Sequence, residues 1–308
     1  MSIQNEFIQY AKNLGFLEVG FAEARKLDEE SPRLDEWLSK GFHGTMEYME
    51  RNRNLRLDPR ELVPGCRSVI VLLYNYYQIP AHEETSFPKI SRYAQGQDYH
   101  KVLRRKNKLL LNWLNQQAGA KVLRGVVDSA PVMERQWAKL AGLVWNGKNT
   151  LSIHPQQGSY FFISCLFTDI IFEYGQPIKD YCGTCTRCID ACPTQAILTP
   201  GYRLNASRCI SYLTIEQKTE ISSEFKGLTD NWLFGCDICQ EVCPWNRFSK
   251  PHSDPAFETD PETLNKSPES WLNLDQSSFE NEFNHSPLKR KGLTGIQNTI
   301  RFLGETLP

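Results

Sequence analysis

The sequence predicts a protein of mixed α/β or α+β class in three parts: an α/β domain over 1–176, a cysteine-rich domain over 177–250 and a loop-rich extension over 251–308. Helical and strand patterns alternate before residue 176, which is typical of helices packed on a sheet. Eight of the ten cysteines lie between Cys182 and Cys243. Beyond residue 250, prolines interrupt an acidic stretch, which predicts loops.

Local patterns predict the helices and strands of the first domain and one short helix near the C-terminus. Apolar residues at helical spacing followed by Gly15 indicate a helix, and a continuous apolar run around Val69 indicates a buried strand. The predicted helices cover 3–14, 34–40, 98–116 and 131–141, with a short terminal helix near 296–303. The predicted strands cover 16–22, 68–76, 121–127 and 159–167.

Composition restricts the kind of protein. The chain has 308 residues, 40% of them hydrophobic, so a folded core is expected rather than a disordered chain. The formal net charge of −1 excludes a protein-wide basic field for nucleic acid, so such contacts must be local. The first residues lack a basic segment followed by an apolar one, and no apolar stretch is long enough to span a bilayer. We therefore expect a cytoplasmic protein without a membrane partner, in which the cysteines serve metal or redox chemistry.

The cysteine spacing is typical of iron–sulfur proteins. Residues 182–193 read C-x2-C-x2-C-x3-C-P, the run that bacterial ferredoxins use for [4Fe–4S] clusters, where the fourth cysteine ligates the other cluster. A second, variant run ends in Cys243-Pro, with its first cysteine displaced upstream to Cys209. The crossed arrangement predicts two [4Fe–4S] clusters in a bacterial-ferredoxin-like domain. Cluster one takes Cys182, Cys185, Cys188 and Cys243, and cluster two takes Cys192, Cys209, Cys236 and Cys239.

Zinc is the alternative metal. Zinc sites usually use two separated pairs of ligands, and three cysteines at successive x2 spacings fit that pattern poorly. Cys66 and Cys165 lie in or beside apolar stretches and are interpreted as packed thiols. A simple electron carrier needs only the cysteine-rich domain, so the residues before it are expected to receive the electrons.

Asp128 is the candidate catalytic residue. It ends a predicted strand just before a predicted helix at Pro131, where binding and catalytic groups are common. The alternative is that Asp128 only caps that helix.

Several segments together resemble the epoxyqueuosine reductase family, from near the N-terminus to about residue 300. They are Arg92-Tyr-Ala-Gln-Gly-Gln-Asp98-Tyr-His100, Asp128-Ser-Ala-Pro, Arg135, Ala141-Gly-Leu-Val-Trp-Asn-Gly-Lys-Asn149, Gly158-Ser-Tyr160 and the paired cysteine runs. The resemblance implies an oxidoreductase that uses cobalamin and two [4Fe–4S] clusters. It implies that epoxyqueuosine at the wobble position of the aspartate, asparagine, histidine and tyrosine tRNAs is reduced to queuosine, the last step of queuosine biosynthesis. An external low-potential donor supplies the electrons.

The resemblance also implies roles for individual residues. The N-terminal domain would bind cobalamin, Asp128 would donate a proton from its acid form and contact the cofactor, and Arg56 would contact the corrin. Ser91 stands where a cysteine is often found near the cobalt. Further cobalamin contacts fall by position on Ser152, Ile163 and Ser211. Longer family members add a helical-repeat domain at the C-terminus, so this sequence resembles a short form.

One motif match is set aside, and two alternative functions stay open. Asp98-Tyr-His100 resembles the start of the cobalamin motif D-x-H-x-x-G, but Leu103 replaces its glycine, so we interpret the match as chance. A reductive dehalogenase acting on a small molecule would share the cofactors without needing tRNA, and a non-catalytic carrier would bind clusters without cobalamin.

Overall fold

The computed structural model describes residues 2–79 and 88–304, so the last four residues of the predicted extension lie outside the described part. The strands are β1 (Glu18–Glu23), β2 (Ser68–Asn75), β3 (Lys89–Ile90), β4 (Leu123–Val126), β5 (Trp145–Asn146), β6 (Ser152–Ile153), β7 (Phe161–Thr168), β8 (Ile197–Leu198), β9 (Arg203–Leu204) and β10 (Trp232–Phe234). The helices are α1 (Ile3–Asn13), α2 (Ser31–Ser39), α3 (Tyr48–Arg51), α4 (Arg53–Leu57), α5 (Pro59–Leu62), α6 (Tyr99–Ala118), α7 (Glu134–Leu140), α8 (Arg187–Asp190), α9 (Ile210–Ile215), α10 (Ile238–Glu241), α11 (Pro261–Leu264), α12 (Pro268–Leu272), α13 (Gln276–Phe283) and α14 (Gly292–Gly304).

A four-stranded sheet organises the N-terminal part, in the order β1-β2-β7-β4. Every helix and strand predicted before residue 176 is present, with its ends shifted by a few residues. All three strand pairs are antiparallel. This four-stranded sheet is therefore not the parallel sheet that the α/β class implies, and the α+β class fits it instead.

Helices cover both faces of this sheet. On β2, Ile70 and Leu72 pack toward α1 and α6, whereas Val69 and Val71 pack toward α7 and its buried Trp137. Successive strand residues point to opposite faces, so a strand covered on both sides is apolar throughout. This explains the continuous apolar run that forms β2. Strand β4 ends at Val126 at the edge of the same sheet, and Asp128 follows two residues later.

The cysteine-rich part is joined to the N-terminal part by backbone pairing. Strand β3 pairs in parallel with β10, which lies just before Cys236. Ile90 also shares an apolar cluster with Phe234 and with Trp271 of α12. The two domain boundaries stay a prediction, but contacts cross both of them.

The prolines led to the prediction of a loop-rich extension, and this prediction is wrong. Helices α11–α14 occupy most of residues 261–304, and Trp271, Phe279 and Ile296 are buried between them and β10. Within the described residues, no helix combines the length and the apolar character needed to cross a membrane.

Candidate active site

The structure brings the first group of four cysteines together. Burial raises the pKa of the Cys188 thiol to about 11, and the neighbouring Cys182 and Cys243 thiols add to the increase. Cys185 adjoins both Cys188 and Cys243. All four line one cavity, so Cys243 lies with the first run although it ends the second.

The second group adjoins the first. Burial raises the pKa of the Cys239 thiol well above its usual range, and the Cys209 and Cys192 thiols lie near it. Cys236 adjoins Cys239 and Cys209. Cys188 also lies within electrostatic reach of Cys239. The fold thus brings the two predicted groups of four cysteines side by side, and the crossed ligand sets stay a prediction.

Polar groups around the first cysteines suit a cluster. The Nζ atom of Lys148 donates to the carbonyls of Gly183 and Cys185, at 2.7 and 3.0 Å, and so holds the loop between two of the thiols. The indole of Trp145 lies beside the Cys182 thiol, and its buried Nε1–H has no oxygen or nitrogen partner among the described residues. A buried donor without a partner is costly, and a cluster sulfur would accept from it.

The loop of the second group is fixed to the N-terminal part by a buried ion pair. Asp237, between Cys236 and Cys239, accepts from Arg92 Nη1 at 3.1 Å and from Ser91 Oγ at 2.5 Å. The Arg92 and Asp237 side chains are only 6% and 2% exposed. The Ser91 hydroxyl is therefore directed to this loop.

Asp128 lies in the turn after β4, where it adopts a left-handed φ of +54°. Its Oδ2 accepts from Tyr99 Oη at 2.8 Å and lies 3.3 Å from His100 Nε2, both at the start of α6. The side chain is 55% exposed, so it faces an open space at the protein surface, which we call the cleft.

The alternative that Asp128 caps the following helix is wrong. Helix α7 begins at Glu134 rather than Pro131, and Met133 is its N-cap without any side-chain capping bond. The expected acid form of Asp128 is also not favoured. Burial by itself raises its pKa, but hydrogen bonds from His100 and Tyr99 outweigh burial and lower the pKa below its usual value.

The proton near Asp128 is held by His100 instead. Its Nδ1 lies 2.8 Å from Asp98 Oδ1, while Nε2 faces Asp128, so each ring nitrogen has a carboxylate. Burial lowers the pKa of His100, but the bonds to Asp128 and Asp98 raise it to about 9. His100 is thus an imidazolium at neutral pH. In the sequence, His100 stands in the failed cobalamin motif and in a segment that resembles the family, but neither predicted it as a site residue.

Glu134 is a second group that sequence reasoning missed as a candidate site residue. Its Oε1 is buried and has no hydrogen-bond partner among the described residues. Burial raises its pKa to about 8, and the charge of Asp128 adds to the increase. Glu134 is therefore the carboxyl group that stays protonated at neutral pH, beside an Asp128 that does not.

Arg56 lies across the same space. It is 9% exposed, its Nε has no partner among the described residues, and its Nη2 donates to the Tyr48 carbonyl at 3.3 Å. Burial lowers its pKa, whereas Glu134, Tyr48 and Asp128 raise it, which shows that they lie within electrostatic reach.

The structure places the other predicted cofactor contacts on separate elements. Ser152 Oγ donates to Asn146 Oδ1 at 3.1 Å between β6 and β5. Ile163 of β7 packs with the apolar cluster under α7, and the backbone of Ser211 hydrogen-bonds the Cys209 thiol.

Tyr93 connects the cleft to the second cysteine group. Burial raises its pKa well above the usual value, and Asp128 contributes most of the remaining increase. Its ring also packs beside Gly235, which immediately precedes Cys236. The second cysteine group thus lies between the first group and the Asp128 cleft.

Comparison with known families agrees with this arrangement. Residues 181–246 match the model of a 4Fe-4S double cluster binding domain, which favours iron–sulfur clusters over the zinc alternative. Residues 56–129 match the model described as "Epoxyqueuosine reductase QueG, DUF1730". The epoxyqueuosine reductase of Cyclobacterium marinum is 50% identical over 95% of this chain and 94% of its own length. The chain belongs to the epoxyqueuosine reductase family.

Other members of the family are similarly close. The epoxyqueuosine reductase of Cellulophaga algicola is 46% identical over 95% of each chain. A crystal structure of an epoxyqueuosine reductase with an epoxyqueuosine-modified tRNA-Tyr stem loop matches with a TM-score of 0.90 and 33% identity, covering 99% of this chain and 81% of that one. The family's fold therefore extends over the whole described chain, including the helical C-terminal part.

Proposed function

We propose that the protein reduces epoxyqueuosine in tRNA to queuosine. The observation that carries the proposal is the Asp128–His100 pair on a cleft next to the two cysteine groups, in a chain of the epoxyqueuosine reductase family. Removing the epoxide oxygen as water consumes two electrons and two protons. The cysteine groups suit the delivery of electrons, and the carboxylate–imidazolium pair suits the delivery of a proton.

We assign one [4Fe–4S] cluster to each cysteine group, with the crossed ligand sets predicted from the sequence. Such clusters supply electrons one at a time. Lys148 orients the backbone of the first ligand loop, and the Arg92–Asp237 pair orients the second. Both cations also lie close to where an electron would add negative charge.

We assign cobalamin to the cleft. When bound there, cobalamin would supply a redox-active cobalt centre for the two-electron reduction of the epoxide. The unpaired Nε of Arg56 and Oε1 of Glu134 fit the amide groups that surround a corrin, since an amide both accepts and donates hydrogen bonds. Ser91, Ser152, Ile163 and Ser211 remain proposed contacts, the Ser91 hydroxyl acting through Asp237.

The chain's own residues would then supply the proton. The epoxide oxygen gains negative charge as its carbon–oxygen bond breaks, and a nearby acid stabilises it. We infer that the proton comes from His100, which lies 3.3 Å from Asp128 and keeps its proton at neutral pH, and that it passes through the Asp128 carboxylate to this oxygen. Tyr99 holds the carboxylate in place through its 2.8 Å hydrogen bond.

The related structure with a tRNA stem loop supports tRNA as the substrate, and we propose the aspartate, asparagine, histidine and tyrosine isoacceptors in the cytoplasm. Arg104 lines a groove between α6 and β4 together with Lys108. Its guanidinium also donates to Ser129 Oγ at 2.6 Å, next to Asp128. Phosphates of a stem loop lying along this groove would place the wobble base near Asp128.

The deciding experiment is anaerobic turnover. Protein with both clusters reconstituted is incubated with cobalamin, dithionite and tRNA bearing epoxyqueuosine, and the digested nucleosides are analysed by mass spectrometry. We expect queuosine, one oxygen lighter, only when both protein and cobalamin are present. Unchanged epoxyqueuosine with fully loaded protein would refute the proposal.

A further inference from the structure

An exposed aromatic surface surrounds the first cysteine group. Tyr181, Tyr202 and Phe248 are 48%, 46% and 37% exposed, which is high for large apolar side chains. Trp245 joins them, since its ring centroid lies 5.7 Å from that of Tyr181 and 5.9 Å from that of Phe248. We call these four residues the aromatic face.

We propose that the aromatic face is the docking site of an acidic one-electron carrier protein that reduces cluster one. This inference rests on the proposed function, which requires an electron donor but does not say where it binds.

The aromatic face reaches the cluster region directly. Trp245 lines the same cavity as the four thiols of the first group. Tyr202 lies within electrostatic reach of Cys182 and Cys188. Tyr181 immediately precedes Cys182. A protein seated on this face would therefore lie against the cluster-one ligands.

The second group is not accessible in this way. The residues between the first thiols are exposed, including Gly183, Thr184 and Arg187. In contrast, Asp237 between Cys236 and Cys239 is almost fully buried. A protein donor on the aromatic face would therefore reach cluster one first, and the electron would then pass to cluster two.

The charges around the aromatic face favour an acidic partner. Arg187, Arg247 and Lys250 are exposed, and in the described part of the chain none of them has a salt bridge. Arg247 lies over the Phe248 ring at 4.5 Å, so its charge is part of the face.

The nearby carboxylates are already engaged. Asp180 accepts a hydrogen bond from the Cys182 amide at 2.7 Å, and Asp190 accepts one from Thr186 Oγ1 at 2.7 Å. These neutral donors leave both carboxylates charged, but Arg187, Arg247 and Lys250 outnumber them, so the net charge at this face is positive. Complementary charges steer encounter between proteins, and aromatic side chains with arginine are typical of interface centres.

The transfer balances for one electron. The carrier loses one electron, and cluster one changes from [4Fe–4S]2+ to [4Fe–4S]1+, with no bond formed or broken. Two successive encounters supply the two electrons of one turnover.

The test uses reduced flavodoxin, an acidic carrier, with the cluster-loaded protein and no tRNA. Cluster reduction is followed by stopped-flow absorbance, and binding of oxidised flavodoxin is measured by interferometry. The variants are Arg247→Glu/Lys250→Glu and Phe248→Ala, with Lys121→Glu, at an exposed position two residues before β4, as a charge-reversal control outside the face. At low salt, we expect the double variant to slow reduction by flavodoxin at least about tenfold and to weaken binding similarly.

Dithionite needs no docking surface, so its reduction of the clusters should be unchanged in every variant. Unchanged flavodoxin rates and binding in both the double variant and Phe248→Ala would overturn the proposal. Binding of an unmodified tRNA stem loop is measured separately, and a double variant that lost only this affinity, with unchanged flavodoxin rates and binding, would assign the face to tRNA and also overturn the proposal. If the double variant fails to hold clusters, Phe248→Ala decides alone. Because epoxyqueuosine is absent, a negative result here leaves the proposed reaction standing.

Discussion

Asp128 and Glu134 are carboxyl groups within electrostatic reach of one another. Their surroundings shift their pKa values in opposite directions. Asp128 receives hydrogen bonds from Tyr99 and His100, which stabilise its charge. Glu134 has a buried oxygen without a partner and lies near the charge of Asp128, so its acid form is favoured. Pairs of groups with divergent pKa values mark proton-handling sites. The proton-bearing groups here are His100 and Glu134.

Replacing Glu134 should change how stability depends on pH. The pKa of Glu134 is raised from 4.5 to about 8 in the folded protein, so its contribution is complete below pH 4.5 and lost as pH rises through 8. Glu134→Gln cannot ionise. We therefore expect the melting temperature of Glu134→Gln, relative to that of the wild type, to rise as pH increases from 5 to 9. It is measured with clusters present and cobalamin withheld. The exposed Glu220→Gln serves as the control; if both variants keep a constant offset from the wild type, the buried acid is refuted.

Replacing His100 should change the alkaline limb of the pH–rate profile. With a pKa of about 9, His100 keeps its proton at neutral pH and loses it above pH 9. We expect wild-type turnover to fall there, and His100→Gln to be at least about a hundredfold slower, the usual contribution of a general acid. Tyr99→Phe should retain the alkaline limb because His100 is still present. A normal rate in His100→Gln would exclude the proposed proton path.

At the residue level, the sequence identified groups that lie at predictable places on elements. Asp128 was predicted from its position at a strand end, and the cluster cysteines from their spacing. Glu134 and His100 were missed as candidate site residues because their roles come from burial and from partners distant in sequence. Asp128 and His100 lie on different elements, and only the packing of α6 against β4 brings them together.

At the level of elements, the C-terminal part shows why the prolines were misread. Pro255, Pro261, Pro268 and Pro287 each stand in the first turn of a helix or 3-10 helix. Each is preceded by an aspartate or serine whose side chain caps the new turn. Proline fits the first turn because its missing N–H would be unpaired there anyway. The Asp-Pro and Ser-Pro pairs were thus helix starts.

The helical C-terminal core should be a major source of stability. Trp271 is 0% exposed and stacks on Phe283 at 5.1 Å. We expect Trp271→Ala to lower the free energy of unfolding by about 3–5 kcal/mol, as large-to-small core substitutions do. Chemical denaturation followed by circular dichroism measures this. Leu109→Ala, at a 46% exposed position on α6, should change it by less than about 0.5 kcal/mol. Equal effects of the two variants would contradict the buried core.

At the level of the whole molecule, the order of the parts follows from how the chain segments interlock. Strand pairing of β3 with β10 and the Arg92–Asp237 ion pair fix the second cysteine group beside Tyr93 and the cleft. The first group lies toward solvent at the aromatic face. Spacing in the sequence predicted two clusters, but not which of them is near the surface, because that depends on contacts between segments more than a hundred residues apart.

The measurement that tests the account most directly is turnover by Asp128→Asn. The variant keeps the shape of the side chain but has no acid form, and it leaves both cysteine groups intact. With iron content and cobalamin binding verified, we expect conversion of epoxyqueuosine in tRNA, measured by mass spectrometry of nucleosides, to fall at least about a hundredfold below the wild type. Near-normal conversion by the loaded variant would contradict the proposed role of Asp128 and of the cleft around it.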